Sequence, residues 1–125
     1  MGLLDALLGN ASEVDGGKLQ AEFEKVLAPR ERIEKAYQLI RDLFIFTDKR
    51  LILVDKQGVT GSKIEYHSLP YRTITHFSIE TGGHFDLDAE LKVWVSGSST
   101  PFQKKFNKRL SIYEVQSVLA SYVLK

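Results

Sequence analysis

LFIFTDKRLILVDKQG, residues 43–58, sets two apolar quartets, LFIF and LILV, on either side of a polar interval, TDKR. Thr47, Asp48, Lys49 and Arg50 have the composition of a tight turn with polar tips in solvent, so the quartets are expected to pair as antiparallel strands. In a half-buried sheet each strand alternates apolar and polar residues, and neither quartet does. Leu43 and Ile45 face one side and Phe44 and Phe46 the other, while Leu51 and Leu53 oppose Ile52 and Val54. Both faces of the hairpin therefore need cover. One face suits a barrel interior. The other has three candidate covers: the N-terminal helices, a second copy of the chain, or a lipid or ligand. Each large apolar side chain buried there is worth roughly 1.5–3 kcal/mol, and left wet the face would invite association.

Outward from the hairpin, period-2 patterning recurs at 33–40, 43–47, 50–55, 63–69, 73–80, 87–95 and 100–107, giving seven strand candidates. The clearest is 87–95. Leu87, Ala89, Leu91, Val93 and Val95 alternate there with Asp88, Glu90, Lys92 and Trp94. Short turn signals separate the strands, so antiparallel neighbours are expected. Helix-period patterning is confined to the two ends. Leu3, Leu4, Leu7 and Leu8 form one stripe, ending at Gly9-Asn10. Leu19, Phe23, Val26 and Leu27 form a second over about 18–28, stopped by Pro29. At the C-terminus Ser111 and Glu114 make a capping box, and Ile112, Val115, Leu119 and Tyr122 follow on one face. The division implied is a helical extension, 1–28, and a strand domain with its closing helix, 29–125.

The chain has 125 residues, enough for one core without staples. It has no cysteine, which excludes disulfides, thiolate zinc sites and thiol catalysis. Seventeen basic residues against 16 acidic ones leave a net charge of +1, which gives no global pull toward nucleic acid. MGLLDALLGN is too short to span a bilayer and lacks the basic start of a signal peptide, so the expected location is cytoplasmic, with peripheral contact at the inner face of the membrane as an option.

Seven short antiparallel strands closed by an amphipathic helix are the plan of a pleckstrin-homology (PH) barrel. Phe46-Thr47-Asp48-Lys49-Arg50-Leu51, then Glu65-Tyr66, then Pro70-Tyr71-Arg72 and Ile74, resemble the bacterial PH-domain family, formerly a domain of unknown function. The resemblance covers about residues 19–125. It implies a mainly β fold, a PH-like seven-stranded antiparallel barrel capped by a C-terminal α-helix, here with two N-terminal helices. It also implies small cytoplasmic proteins and ring-like homo-oligomers, and it brings no catalytic activity with it. PH domains that bind phosphoinositides carry a basic run across their first hairpin. The matching residues 38–43 offer one arginine, Arg41, beside Asp42.

No catalytic residues, cofactor or metal ligands are assigned. His67, His76 and His84 lack ligand spacing, and Asp86, Asp88 and Glu90 read as the wet side of a strand. GVTG, 58–61, lacks the lysine and following helix of a phosphate loop. The interface candidates are Leu4, Leu7, Leu8, Phe44, Phe46, Ile52, Val54, Tyr71 and Trp94. Trp94 stands out because it falls on the polar side of its strand, where a large apolar area with one N–H donor can anchor a contact. The expected function is a non-catalytic scaffold or protein-interaction module, homo-oligomeric, with an unidentified protein partner possible and no nucleic acid. The alternative is peripheral membrane binding, the N-terminal helix inserting while Lys49, Arg50, Lys104, Lys105, Lys108 and Arg109 touch anionic headgroups.

Overall fold

The computed structural model describes residues 13–14, 16–39, 42–57, 63–81, 88–107 and 112–125. Its order is β1 (Glu13–Val14), α1 (Gly16–Glu22), β2 (Ile33–Gln38), β3 (Asp42–Thr47), β4 (Arg50–Gln57), β5 (Lys63–Pro70), a 3-10 turn (Tyr71–Thr73), β6 (Ile74–Thr81), β7 (Asp88–Val95), β8 (Phe102–Asn107) and α2 (Ile112–Val123). All seven expected strands are present, within two residues at most ends. The eighth, β1, lies in a stretch that reads as linker; two residues are too few to show a period. The expected helix over residues 3–9 lies outside the described residues, as do Leu4, Leu7, Leu8 and the Ser111 half of the capping box.

The expected closed barrel is corrected to two antiparallel sheets. Their orders are β1-β2-β3-β4-β5 and β6-β7-β8. The chain divides into two compact units, Met1–Leu69 and Pro70–Lys125. Strand periodicity reports which face of each strand is buried, not which strands exchange hydrogen bonds, so the break between ladders leaves no trace in the pattern.

In the first unit the opening stretch forms the β3–β4 hairpin. Leu43 pairs with Val54, Phe44 with Leu53, Ile45 with Ile52 and Phe46 with Leu51. One face presents Leu43, Ile45, Ile52 and Val54. These share a core with Ala36, Ile33, and Leu19 and Phe23 from the helical segment, and Val26, Leu27 and Tyr66 pack at its margin. The other face presents Phe44, Phe46, Leu51 and Leu53, joined by Tyr37 of β2, and all five are buried. Phe46 meets both Tyr37 and Phe44 edge-on, with centroids 6.1 and 6.2 Å away.

The helix expected over 18–28 is shorter than its stripe. Regular helix ends at Glu22, and Val26 N–H bonds back only three residues, to Phe23 O. Further on, side chains take up the backbone groups before Pro29. Val26 O accepts a hydrogen bond from Arg50 Nη2 at 2.9 Å, and Ala28 N–H donates to Glu31 Oε1 at 2.8 Å. Both groups are taken by side chains from outside the helix.

In the second unit β7 is central, paired to β6 from Ile74↔Val95 to Thr81↔Ala89 and to β8 from Asp88↔Asn107 to Val93↔Phe102. A register shift between Ile74 and His76 bulges β6 at Thr75. The α2 helix packs on β6, β7 and the 3-10 turn. Ile112, Val115 and Leu119 are buried as their spacing demands, and Tyr122 stacks on Tyr71 at 4.6 Å and 13°.

Candidate functional site

Three places in the two units hold concentrated polar or aromatic groups. The most tightly bonded is a clasp at the base of the β3–β4 hairpin. Glu31 is a buried carboxylate, its side chain 0% exposed. Arg50 meets it side-on: Nη2 donates to Oε1 at 2.8 Å and Nε to Oε2 at 2.9 Å. Arg50 Nη1 donates to Ser68 Oγ of β5 at 2.6 Å. Thr47 Oγ1 stands 2.6 Å from Glu31 Oε2, and it accepts the amide N–H groups of Lys49 and Arg50 at 3.0 and 2.9 Å. Burial raises the pKa of Glu31. Hydrogen bonds from Arg50, Thr47 and the Ala28 amide, with the charge of Arg50, outweigh that and bring it from the usual 4.5 to about 2.

Arg50 therefore corrects an expectation. Its place in TDKR grouped it with Lys49 as a surface cation, yet its guanidinium turns inward and spends its donors on Glu31, Ser68 and Val26. Lys49 remains exposed. Glu31 and Ser68 carry no sequence signal: an acidic residue in PRERI, 29–33, reads as solvated loop, and its burial follows only from the arginine that neutralises it.

Beside the clasp opens a hollow of about 640 Å³, lined by Glu24, Leu27, Pro29, Arg30 and Arg32 among others. The turn Ala28–Glu31, closed by Glu31 N–H to Ala28 O at 3.0 Å, lines it. Pro29 at the first central position and φ 68° at Arg30 mark a type II turn. Sequence reading did not find this hollow, because Pro29 registers only as a helix stop.

The third place is on the second unit. Trp94 and His76 are cross-strand partners, and their rings stack at 4.3 Å and 15°. Thr75 Oγ1 lies 3.0 Å from His76 Nδ1 and donates to Trp94 O at 3.3 Å. Ser78, Glu80, Glu90, Lys92, Gln103 and Lys105 share this face by register, and it is the more exposed face of the sheet.

The remaining candidates are scattered. Phe44, Phe46, Ile52 and Val54 are each 2% exposed or less, and the first two face away from the last two. Tyr71 is buried against Tyr122. Lys104 is half-buried and Lys105 exposed, as their strand alternation anticipates; Lys108 and Arg109 lie outside the described residues. Among the described residues no group of three or more His, Asp or Glu is placed to hold a metal ion. No described helix is long and apolar enough to cross a membrane.

Comparison with known proteins agrees with this frame. The chain is similar to a pleckstrin homology domain of Shewanella amazonensis SB2B, at 54% identity and TM-score 0.84, covering 99% of this chain and 100% of that one. It is similar to a DUF1696 family protein with a pleckstrin-homology domain from Shewanella loihica PV-4, at 49% identity and TM-score 0.80, covering 92% and 98% of the two chains. The uncharacterized protein YjqA of Bacillus subtilis (strain 168) is 54% identical over 122 residues, 97% of this chain and 98% of that protein. Two antiparallel sheets and a C-terminal helix make the fold mainly β and PH-like, and a family model matches residues 2–123, so the chain belongs to the bacterial PH domain family.

Proposed function

We propose that this chain is a non-catalytic, self-assembling interaction module of the cytoplasm, with Trp94 anchoring the contact. The observation that carries the reading is the Trp94–His76 stack on the wetter face of the β6-β7-β8 sheet. An indole left at a surface, beside Lys92 and with the Glu90–Lys105 pair further along the same face, has the make-up of an interface centre: large apolar area, one donor and charged surroundings. Both signs of charge occur on this face, which suits a second copy of the same neutral-tending chain. Family membership supports the absence of catalysis; the one hydroxyl–imidazole pair described above, Thr75 with His76, lies on an exposed strand face with the His76 ring stacked on Trp94. Sedimentation of the wild type and of Trp94→Glu tests the reading. The wild type is expected to sediment above 14.2 kDa at micromolar concentration and the variant to dissociate. A wild-type monomer overturns it.

Peripheral membrane contact is the second reading, supported by exposed Lys49 and Lys105 and by the apolar run at residues 1–10. It has lost Arg50 to the clasp. Flotation with anionic vesicles, weakened by salt and by deletion of residues 1–10, is its expected mark.

A further inference from the structure

Arg30 sits at a backbone position that favours glycine. Its φ is 68°, and the other turn of this kind, Val95–Ser98, carries Gly97 with φ 84° at the matching place. The Ala28–Glu31 turn would form more readily with glycine. What Arg30 adds is a cation among the residues that line the hollow described above. Arg32 adds a second. Its backbone is pinned to Asp48 of the hairpin, N–H to Oδ1 at 2.9 Å. Neither guanidinium has a hydrogen-bond or ion-pair partner among the described residues, in contrast to Arg50. Of the two lining carboxylates, Glu31 is already neutralised by Arg50, which leaves two cations against Glu24. Leu27, half-buried, and Pro29 supply an apolar side, and the hollow, about 640 Å³, is open to solvent, with Glu24, Pro29, Arg30 and Arg32 exposed along it.

We propose that this hollow binds a small organic anion, its oxyanion group held by Arg30 and Arg32 and its apolar part against Leu27 and Pro29. Carboxylates and phosphate monoesters share that chemistry, and both accept paired N–H donors from arginine. The proposal is independent of self-assembly.

The test is an amide-resolved NMR titration of the full chain with hexanoate, hexyl phosphate, inorganic phosphate and hexanol. The two oxyanion-bearing hexyl probes separate carboxylate from phosphate as the preferred group. At least one is expected to give saturable shifts at Leu27, Arg30 and Arg32, with hexanol and inorganic phosphate each weaker by about tenfold or more. Arg30→Gly is expected to weaken the bound probe by at least about tenfold while its thermal midpoint stays level or rises, because glycine fits the turn. Arg32→Gln is expected to weaken binding similarly, and Glu24→Gln to tighten it. Absence of saturation with both hexyl oxyanions overturns the proposal. So does hexanol or inorganic phosphate binding as tightly as they do, or unchanged affinity in both arginine variants.

Discussion

Glu31 is a carboxylate out of water whose charge survives because every lone pair in reach finds a donor. Arg50 supplies two, Thr47 and the Ala28 amide one each. Its folded pKa, about 2, is depressed below the usual 4.5, so the ionised form stabilises the fold above the unfolded value and that stability is lost as pH falls from about 4.5 through 2. The drop corresponds to roughly 3 kcal/mol. Glu31→Gln is expected to cost about 3–5 kcal/mol at pH 7, since it leaves the Arg50 guanidinium without its counter-charge. The gap from wild type should close as pH approaches 2; urea unfolding at several pH values measures it, and a gap constant with pH contradicts the ion pair. Arg30 shows the opposite economy. A non-glycine residue at positive φ costs about 1 kcal/mol, so Arg30→Gly is expected to leave stability unchanged or raise it by up to about 1 kcal/mol in the same assay.

The β3–β4 hairpin and the segment over it depend on each other. Leu19 and Phe23 are 0% and 2% exposed, and they cover the face made by Leu43, Ile45, Ile52 and Val54. Phe23 also meets Tyr66 of β5 edge-on at 5.8 Å. Phe23→Ala is therefore expected to cost about 3–5 kcal/mol, read by denaturant midpoint; a loss under about 1 kcal/mol would mean that residues 19–27 do not cover that face. Two unbroken apolar quartets announced that both faces would be covered, and the Leu19, Phe23, Val26, Leu27 spacing named the side chains that cover one of them. The end of the helix at Glu22 was hidden, because the stripe runs on to Leu27, and so was the bond of Val26 O to Arg50, 24 residues on. Local period cannot report a partner that arrives from another strand. The turn was hidden for a similar reason. Its residues look wholly solvated, yet Thr47 Oγ1 holds the Lys49 and Arg50 amides and points Arg50 inward. Thr47→Val, which keeps the shape and deletes the hydroxyl, is expected to cost about 1–3 kcal/mol.

For the molecule as a whole, what stands out among the described residues is surface. Trp94 was legible as a candidate because it breaks the polar side of an otherwise regular strand, residues 87–95. Its partnership with His76 was not, since cross-strand pairing depends on the bulge at Thr75 that sets the register. The hollow beside Arg30 was illegible for a third reason: it is bounded by a helix end, a turn and a strand start, none of which carries a period. Native mass spectrometry of the purified chain at micromolar concentration, beside Trp94→Glu, bears on the interaction reading without intermediaries. A mass that is a multiple of 14.2 kDa, collapsing to one subunit in the variant, is the expected result. A single 14.2 kDa species for the wild type, or an assembly that Trp94→Glu leaves intact, would contradict it.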